Sequence, residues 1–513
     1  MKKIFIPILL LVIIINSCSK DIVERNLEFP ALQPASTDIN AGTWKPILLT
    51  GPTEIPVAAP GATNTPDYIA QVNEIKTWQL DLSKEEKRIV QYWSAGAVLR
   101  WNEIMRELVA KYNLPPYQNP DGTYPAPNAN NPLAYPQFPF ANPPYASRAY
   151  AYVAAAQYDA LVAAWHYKKL YNRAAPYTVD ATVTTLIPKS DLPSYPSEDA
   201  TVAGVVGEMM KLLFPGDQDF IQQKIEEHKK ARLIAGANVR SDLEAGEALG
   251  KAVAQKFVAR ARTDRAGTAG GSLTIQSQME QDCIARGEIP WISQENPKRP
   301  GMLMLFGKVR TWLFDSLTMV TTIRPPAPPS TSSTKFNDEL EEVYSYSTSI
   351  TPEERAIAHF WADGISTPTP PGHWNQIAAE DFVKQNFSEV RWARNMALLN
   401  MAMMDAAVVC WDAKYFYFNP RPPQLDNRIK TVTGLPNFPS YPSGHSTFSG
   451  AAATLLAHII PSQATKYTNM ANEASISRMY ASIHYRSDCE KGLEAGLKIG
   501  EYAKQRARAD GAE

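Results

Sequence analysis

The feature that most constrains this chain is that it repeats itself. Residues 193–204 read PSYPSEDATVAG and residues 439–450 read PSYPSGHSTFSG, an offset of 246. The same offset aligns Tyr158-Asp159-Ala160 with Met404-Asp405-Ala406, Trp165 with Trp411 and Lys168 with Lys414. It also aligns Arg232 with Arg478, Arg240-Ser241-Asp242 with Arg486-Ser487-Asp488, and Gly246 and Gly250 with Gly492 and Gly496. Upstream the offset drifts: Trp93 matches Trp361, and Trp101-Asn102 matches Trp374-Asn375. Identities held at one offset across separated segments argue for a duplicated unit. The fold must therefore be one that two homologous halves, 76–262 and 338–510, can each build.

Periodicity says what that unit is. Segments 83–112, 147–170, 199–214, 217–235 and 241–263 carry Ala, Leu, Glu, Lys and Val at helical spacing. In the second half 351–363, 380–413, 443–460 and 464–508 do the same, and no alternating strand pattern stands out. Pro and Gly breakers separate the segments, with long loops expected over 118–144 and 266–300. The expected fold is all-α: two related helical bundles with pseudo-twofold symmetry. The expected map is a lipoprotein signal over 1–17, a tether over 18–75, an N-terminal degenerate bundle over 76–323, a Pro/Ser-rich linker over 324–337 and a C-terminal bundle over 338–513.

The N-terminus reads as a targeting segment. Lys2 and Lys3 precede an apolar run from Ile4 to Ile15, and Ile15-Asn16-Ser17-Cys18 resembles a bacterial lipoprotein signal with Cys18 as the lipidated residue. Residues beyond it, rich in Pro, Thr, Asn and Ala, suit a tether. No later apolar run of spanning length is seen, so the expected location is membrane-anchored, on the periplasmic or cell-surface side of a bacterial outer membrane. A formal net charge of -1 gives no reason to expect a nucleic-acid partner. Cys283, Cys410 and Cys489 have neither the close spacing of a zinc site nor that of a disulfide framework.

The two halves differ where chemistry would matter. Arg421 stands opposite Ala175, Gly444 and His445 stand opposite Glu198 and Asp199, and His484 stands opposite Asn238. Carboxylates at 198 and 199 suit a scaffold better than an anion site. The second half keeps three clusters: Lys414 with Arg421-Pro422, then Pro442-Ser443-Gly444-His445, then Ser477-Arg478 with His484 and Asp488. Two arginines and a lysine supply charge-assisted donors matched to a tetrahedral oxyanion. Ser443 reads as the N-cap of a helix whose free amides, that of Gly444 among them, add neutral donors. Two histidines flank the anion, and Asp488, four residues past His484, can orient its ring. Arg478 and His484 are six residues apart, about 120° around an unbroken helix, so the helix is expected to be interrupted between them.

These clusters resemble the signature of the type-2 phosphatidic acid phosphatase and vanadium-dependent haloperoxidase superfamily. The likeness to haloperoxidases extends to a large body of two related bundles and to Phe360-Trp361-Ala362-Asp363-Gly364 followed by Pro370-Pro371-Gly372-His373-Trp374-Asn375. The resemblance implies that Lys414, Arg421, Ser443, Gly444 and Arg478 hold phosphate or vanadate. It implies that His445 is the acid–base group and that His484 is the axial vanadate ligand or, in phosphatases, the nucleophile. Phe438, Asp363 and His373 are implied lining residues, with Asp363 a partner for Arg478.

The leading expectation is a haloperoxidase-like enzyme using vanadate, peroxide and halide, with Lys414 polarising the peroxide and His445 handling its proton. The alternative is an acid phosphatase without metal, in which His484 attacks a phosphomonoester and His445 protonates the leaving oxygen. A third reading is a non-catalytic surface lipoprotein that binds an anion or a partner.

Overall fold

A computed structural model describes residues 29–114, 142–296 and 298–513. The leader with Cys18 and most of the 118–144 loop lie outside these described residues. Within them the chain is helical, with no strand. The helices of the first half are α1 (Pro66–Gln79), α2 (Lys84–Ser94), α3 (Ala97–Tyr112), α4 (Pro143–Tyr171), α5 (Glu198–Leu213), α6 (Gln218–Ile234) and α7 (Arg240–Ala261). After α8 (Leu273–Ala285) come α9 (Thr334–Ser349), α10 (Pro352–Phe360), α11 (Thr369–Gln385), α12 (Glu389–Tyr417), α13 (Gly444–Ile459), α14 (Ala464–Tyr480) and α15 (Arg486–Arg508).

The offset of 246 carries from residues to elements. It takes α4 onto α12, α5 onto α13 and α6 onto α14 at both ends, and it takes the start of α7 onto the start of α15. The caps follow. Asn142 and Ser388 each accept from the backbone three residues on, and Asn172 and Phe418 close α4 and α12 in the left-handed region. Ser197 and Ser443 cap α5 and α13 after matching cis Tyr–Pro bonds, Tyr195–Pro196 and Tyr441–Pro442.

The 29-residue helices α4 and α12 pack on each other at the centre. Both are rich in alanine (Ala154, Ala155, Ala156, Ala160 and Ala397, Ala402, Ala406, Ala407), all buried, so the two helices can approach closely. Around them α5 packs on α7, and α13 packs on α14 and α15. These outer contacts are backbone to backbone. A Cβ on Gly250 would sit 2.2 Å from the Thr201 carbonyl, and one on Gly496 would sit 2.4 Å from the Thr447 carbonyl.

The structure departs from the sequence reading in several places, and α1 and α9 stand where no helix was expected. The helix expected over 83–112 breaks at Gly96, whose φ of 123° no helix accommodates. The one expected over 380–413 starts at 369 and breaks at Asn386, in the left-handed region before the Ser388 cap. The loop expected over 266–300 contains α8, capped by Ser272. Helix α12 is long and apolar enough to cross a membrane by length and composition, yet its apolar window is wholly buried among other helices.

Another departure is the segment read as a tether, which from residue 29 onward lies on the body. Asp159, in the middle of α4, accepts from the amides of Ile47, Leu48 and Leu49 at 2.6, 2.7 and 2.9 Å. Asp38 pairs with Arg391 at 2.6 Å, and Ala41, Trp44 and Leu49 are buried. A Pro/Thr-rich strap docked on helices has the same composition as a free tether. What separates them is the carboxylate waiting at 159, more than a hundred residues away.

Candidate active site

The site gathers at the N-terminus of α13, between the C-terminus of α12 and the joint of α14 with α15. Phe418 turns the chain out of α12 in the left-handed region (φ 58°), and Arg421 follows at the mouth of a short helical turn over 422–425. Ser443 then caps α13, accepting from the Ser446 amide, while its own amide donates to the Asp488 carbonyl at 2.9 Å. Helix α14 ends at Tyr480 and α15 starts at Arg486. The interruption expected between Arg478 and His484 is present, with Ser482 (φ 60°) reversing the chain. His484 lies in the joint rather than opening the next helix. Asp488 therefore reaches it across a turn rather than along one helical face.

Each cation is buried and tied down. Lys414 Nζ donates to the carbonyls of Pro439 at 2.9 Å and Ser440 at 2.7 Å, which leaves one of its three N–H groups. Arg421 donates from Nε to the Phe438 carbonyl at 2.9 Å and from Nη1 to the Ile483 carbonyl at 2.8 Å. Arg478 donates to Ser477 Oγ at 3.0 Å and to the Ala358 carbonyl at 2.9 Å. Burial pulls Lys414 down to about 7 and both arginines down to about 10. Phe438 spreads its ring against Lys414 and Arg421, each cation 5.0 Å from its centroid, and stacks obliquely on Trp411.

The histidines are set up differently from each other. His484 Nδ1 lies 2.8 Å from Asp488 Oδ2, and Ser440 Oγ donates to the same oxygen at 2.5 Å. A proton on Nδ1 shared with Asp488 leaves the Nε2 lone pair free, and Arg421 Nη1 stands 3.5 Å from it. Burial, and then the charges of Arg421, Lys414 and Arg478, push His484 well below the usual histidine range. Burial followed by Arg478 does the same to His445. Burial raises Asp488 to about 6 against the opposing pull of Ser440 and Lys414.

Asp363 sits 3.8 Å from His445 Nε2 and takes a hydrogen bond from His373 Nδ1 at 3.0 Å. Its charge favours the cationic form of Arg478, but its direct partner is His373. His373 is not in the cavity wall; it stacks on Trp361 and backs Asp363.

A cavity of about 460 Å³ opens onto Gly444, His445, Arg478, His484 and Phe438, with Trp411, Leu435, Pro436, Phe448 and Ile483 supplying apolar wall. Lys414, Arg421 and Ser443 are fully buried behind this wall. Ser440 is a neighbour of the site that the sequence reading did not assign, whereas Asp363 and His373 were expected there as lining residues. The signal for Ser440 was available, since PSYPS recurs in both halves with Ser194 in the equivalent place. One kind of site follows from this arrangement: a buried cradle of three cations, a helix N-terminus and a histidine lone pair, suited to a tetrahedral or trigonal-bipyramidal oxyanion.

The comparisons agree on the class. Residues 395–503, which contain every cluster residue, match the PAP2 superfamily. The superfamily resembled by the three clusters is the one returned here. Among individual relatives, vanadium chloroperoxidase of Curvularia inaequalis is 30% identical over 136 residues, 20% of this chain and 22% of that protein. The matched stretch thus spans about a fifth of the curated relative. A bacterial vanadium-dependent iodoperoxidase structure superposes with a TM-score of 0.58 at 22% identity, covering 80% of this chain and 96% of that one. A holo-type bacterial vanadium-dependent chloroperoxidase gives 0.51 at 14% identity over 74% and 96%. The fold is that of these vanadium haloperoxidases, and the relatives are enzymes.

Proposed function

We propose that this chain is a vanadate-dependent haloperoxidase-like enzyme that oxidises halide with hydrogen peroxide. We further propose that it is held through Cys18 as a lipoprotein on the periplasmic or surface side of a bacterial outer membrane. The observation that carries the enzymatic reading is a pair of orphaned atoms. Arg421 Nη2 and His445 Nε2 are buried and have no hydrogen-bond partner among the described residues, and both belong to the cradle beside the unprotonated Nε2 of His484. A buried donor without an acceptor, such as Arg421 Nη2, costs about 1–3 kcal/mol, and an oxyanion at this position would accept from it. The residues present therefore fit vanadate: Lys414, Arg421, Arg478, Ser443 and the Gly444 amide would hold it and His484 Nε2 would ligate it. When bound, vanadate supplies the Lewis-acidic centre that activates peroxide.

The chain's own groups do the rest. Asp488, steadied by Ser440, fixes the His484 tautomer and keeps Nε2 unprotonated. His445 Nε2 can take the proton of incoming peroxide, and Asp363 at 3.8 Å stabilises the resulting imidazolium. The remaining N–H of Lys414 strengthens the field as negative charge develops, and the apolar wall around Phe438 limits water.

One observation favours the phosphatase reading. The PAP2 match is confined to 395–503, so a single bundle holds every residue that a phosphohistidine mechanism needs. In that reaction His484 Nε2 attacks phosphorus and His445 protonates the leaving oxygen.

A paired assay on the protein discriminates the two. Hypohalite formation is measured with vanadate, peroxide and each halide, and phosphate release is measured from simple monoesters without vanadate. We expect halide oxidation, abolished in His484→Ala. Phosphate release alone would overturn the peroxidase reading, and no turnover in either assay would leave an anion-binding protein.

A further inference from the structure

The first half contains a second cavity at the place the repeat assigns to the active site. It has a volume of about 140 Å³ and is lined by Lys168, Glu198, Asp199, Arg232 and Asn238, with Trp165 in the wall. The backbone there repeats the active-site frame bond for bond. Ser197 N donates to the Asp242 carbonyl at 3.0 Å, as Ser443 N does to Asp488 at 2.9 Å. Thr201 Oγ1 donates to the Ser197 carbonyl at 2.8 Å, as Thr447 does to Ser443 at 2.8 Å. The Val239 amide donates to the Asp242 carboxylate at 2.9 Å, as the Tyr485 amide does to Asp488 at 3.2 Å. Lys168 and Arg232 hold the places of Lys414 and Arg478.

The difference lies in what neutralises the cations. Asp199 Oδ2 is 3.0 Å from Arg232 Nε, and Asp199 Oδ1 is 3.2 Å from His228 Nε2. Glu198 Oε2 is 3.8 Å from Lys168 Nζ, and Lys168 is 4% exposed, so this cation has little recourse to water. Burial would raise Asp199, but Arg232 and His228 outweigh it and hold the carboxyl down at about 2, fully ionised. The buried indole Nε1 of Trp165, in the same wall, has no hydrogen-bond partner among the described residues.

We infer that the first half is a second oxyanion cradle held shut by its own carboxylates. Glu198 and Asp199 supply to Lys168 and Arg232 the negative charge that an external oxyanion would supply to Lys414 and Arg478. The inference rests on the reading of the second-half site as an oxyanion cradle. The chain consequently takes one phosphate-like anion rather than two, and the duplicated cradle is closed by charge rather than by loss of shape. Ala175 and Asn238 stand in place of Arg421 and His484, so an opened cradle would bind phosphate without a histidine at the place of His484.

Equilibrium dialysis of the full chain against inorganic phosphate tests this. Wild type is expected to bind one phosphate. Glu198→Gly with Asp199→Asn is expected to bind two, the second being lost again on adding Lys168→Met. Glu198→Gln with Asp199→Asn removes the charges while keeping the side-chain volume, and is expected to gain the second phosphate as well if the first pair fails to fold. Two phosphates on wild type, or no added phosphate on either opened variant at saturating ligand, would overturn the inference. None on wild type with one on an opened variant would sustain it while sinking the reading of the second-half site.

Discussion

At the scale of single residues, Gly444 separates function from packing. A Cβ there would meet no atom closer than 3.9 Å, so the protein itself does not need glycine at this position. What a methyl group would crowd is the helix N-terminus facing the cavity. Gly444→Ala is expected to leave stability unchanged or slightly higher, because Ala is favoured over Gly in helices by up to about 1 kcal/mol. It should weaken phosphate or vanadate binding at least ~10-fold, since the amide is the donor being screened. Calorimetric binding beside a urea melt would read both, and a parallel loss of stability would overturn the assignment.

Lys414 carries a pH prediction. Burial lowers it to about 7, so in the free protein it sheds its proton as pH rises past neutrality, whereas a bound anion favours the charged form. Anion affinity should therefore fall above about pH 7, by up to ~10-fold per pH unit. The ratio of wild-type to Lys414→Met affinity, which cancels the anion's own titration, should shrink from pH 6 to pH 9. A ratio constant with pH would count against it. The cluster residues were legible because spacing along the chain marks them. Ser440 gains meaning only through Asp488, and Asp363 and His373, expected as lining residues, show their pairing with each other only in the fold.

At the scale of elements, the joint between α14 and α15 is where a local conflict was resolved in favour of the site. Ser482 adopts φ 60°, a left-handed backbone that costs a non-glycine residue roughly 1–2 kcal/mol, and its buried hydroxyl has no partner among the described residues. The first half solves the same joint with Gly236 at φ 75°. Ser482→Gly is expected to raise the urea midpoint, by about 1 kcal/mol of stability, and an unchanged or lower midpoint would refute the strain argument. Apart from this joint, which geometry demanded, the helix ends misread from sequence were those at Gly96 and Asn386. Both lie inside continuous apolar periodicity, and a positive φ leaves no mark on that pattern.

At the scale of the whole molecule, the repeat fixes two buried carboxylates that tie loose segments to the central helices. Asp159 holds 47–49, and Asp405 holds the amides of Trp312 and Leu313 at 2.9 and 2.8 Å. Burial raises Asp405 to about 7 and Asp159 to about 6, against ordinary carboxylates near 3.9. The folded chain thus keeps a proton on Asp405 between about pH 4 and 7 that the unfolded chain has released. Its stabilising contribution is complete below about pH 4 and is lost as pH rises through 7. Wild type should lose more stability than Asp405→Asn between pH 5 and pH 8 in urea melts. Parallel curves for the two proteins would contradict this.

The sequence by itself determined the all-α class, the duplication, and the residues by which one half reads as an oxyanion site and the other does not, because these are properties of composition, period and offset. Tertiary structure alone decided which atoms of those residues remain unpaired. Among the described residues Arg421 Nη2 and His445 Nε2 are orphaned, Lys414 keeps one N–H, and His484 presents Nε2, because groups 4 to 120 residues away along the chain, such as the Ala358 and Pro439 carbonyls and Asp488, claimed the other atoms. Desolvation is a property of the packed whole. Only the packed whole could therefore turn a list of cations into a site poised for an anion, and turn Glu198 and Asp199 into the plug of its twin.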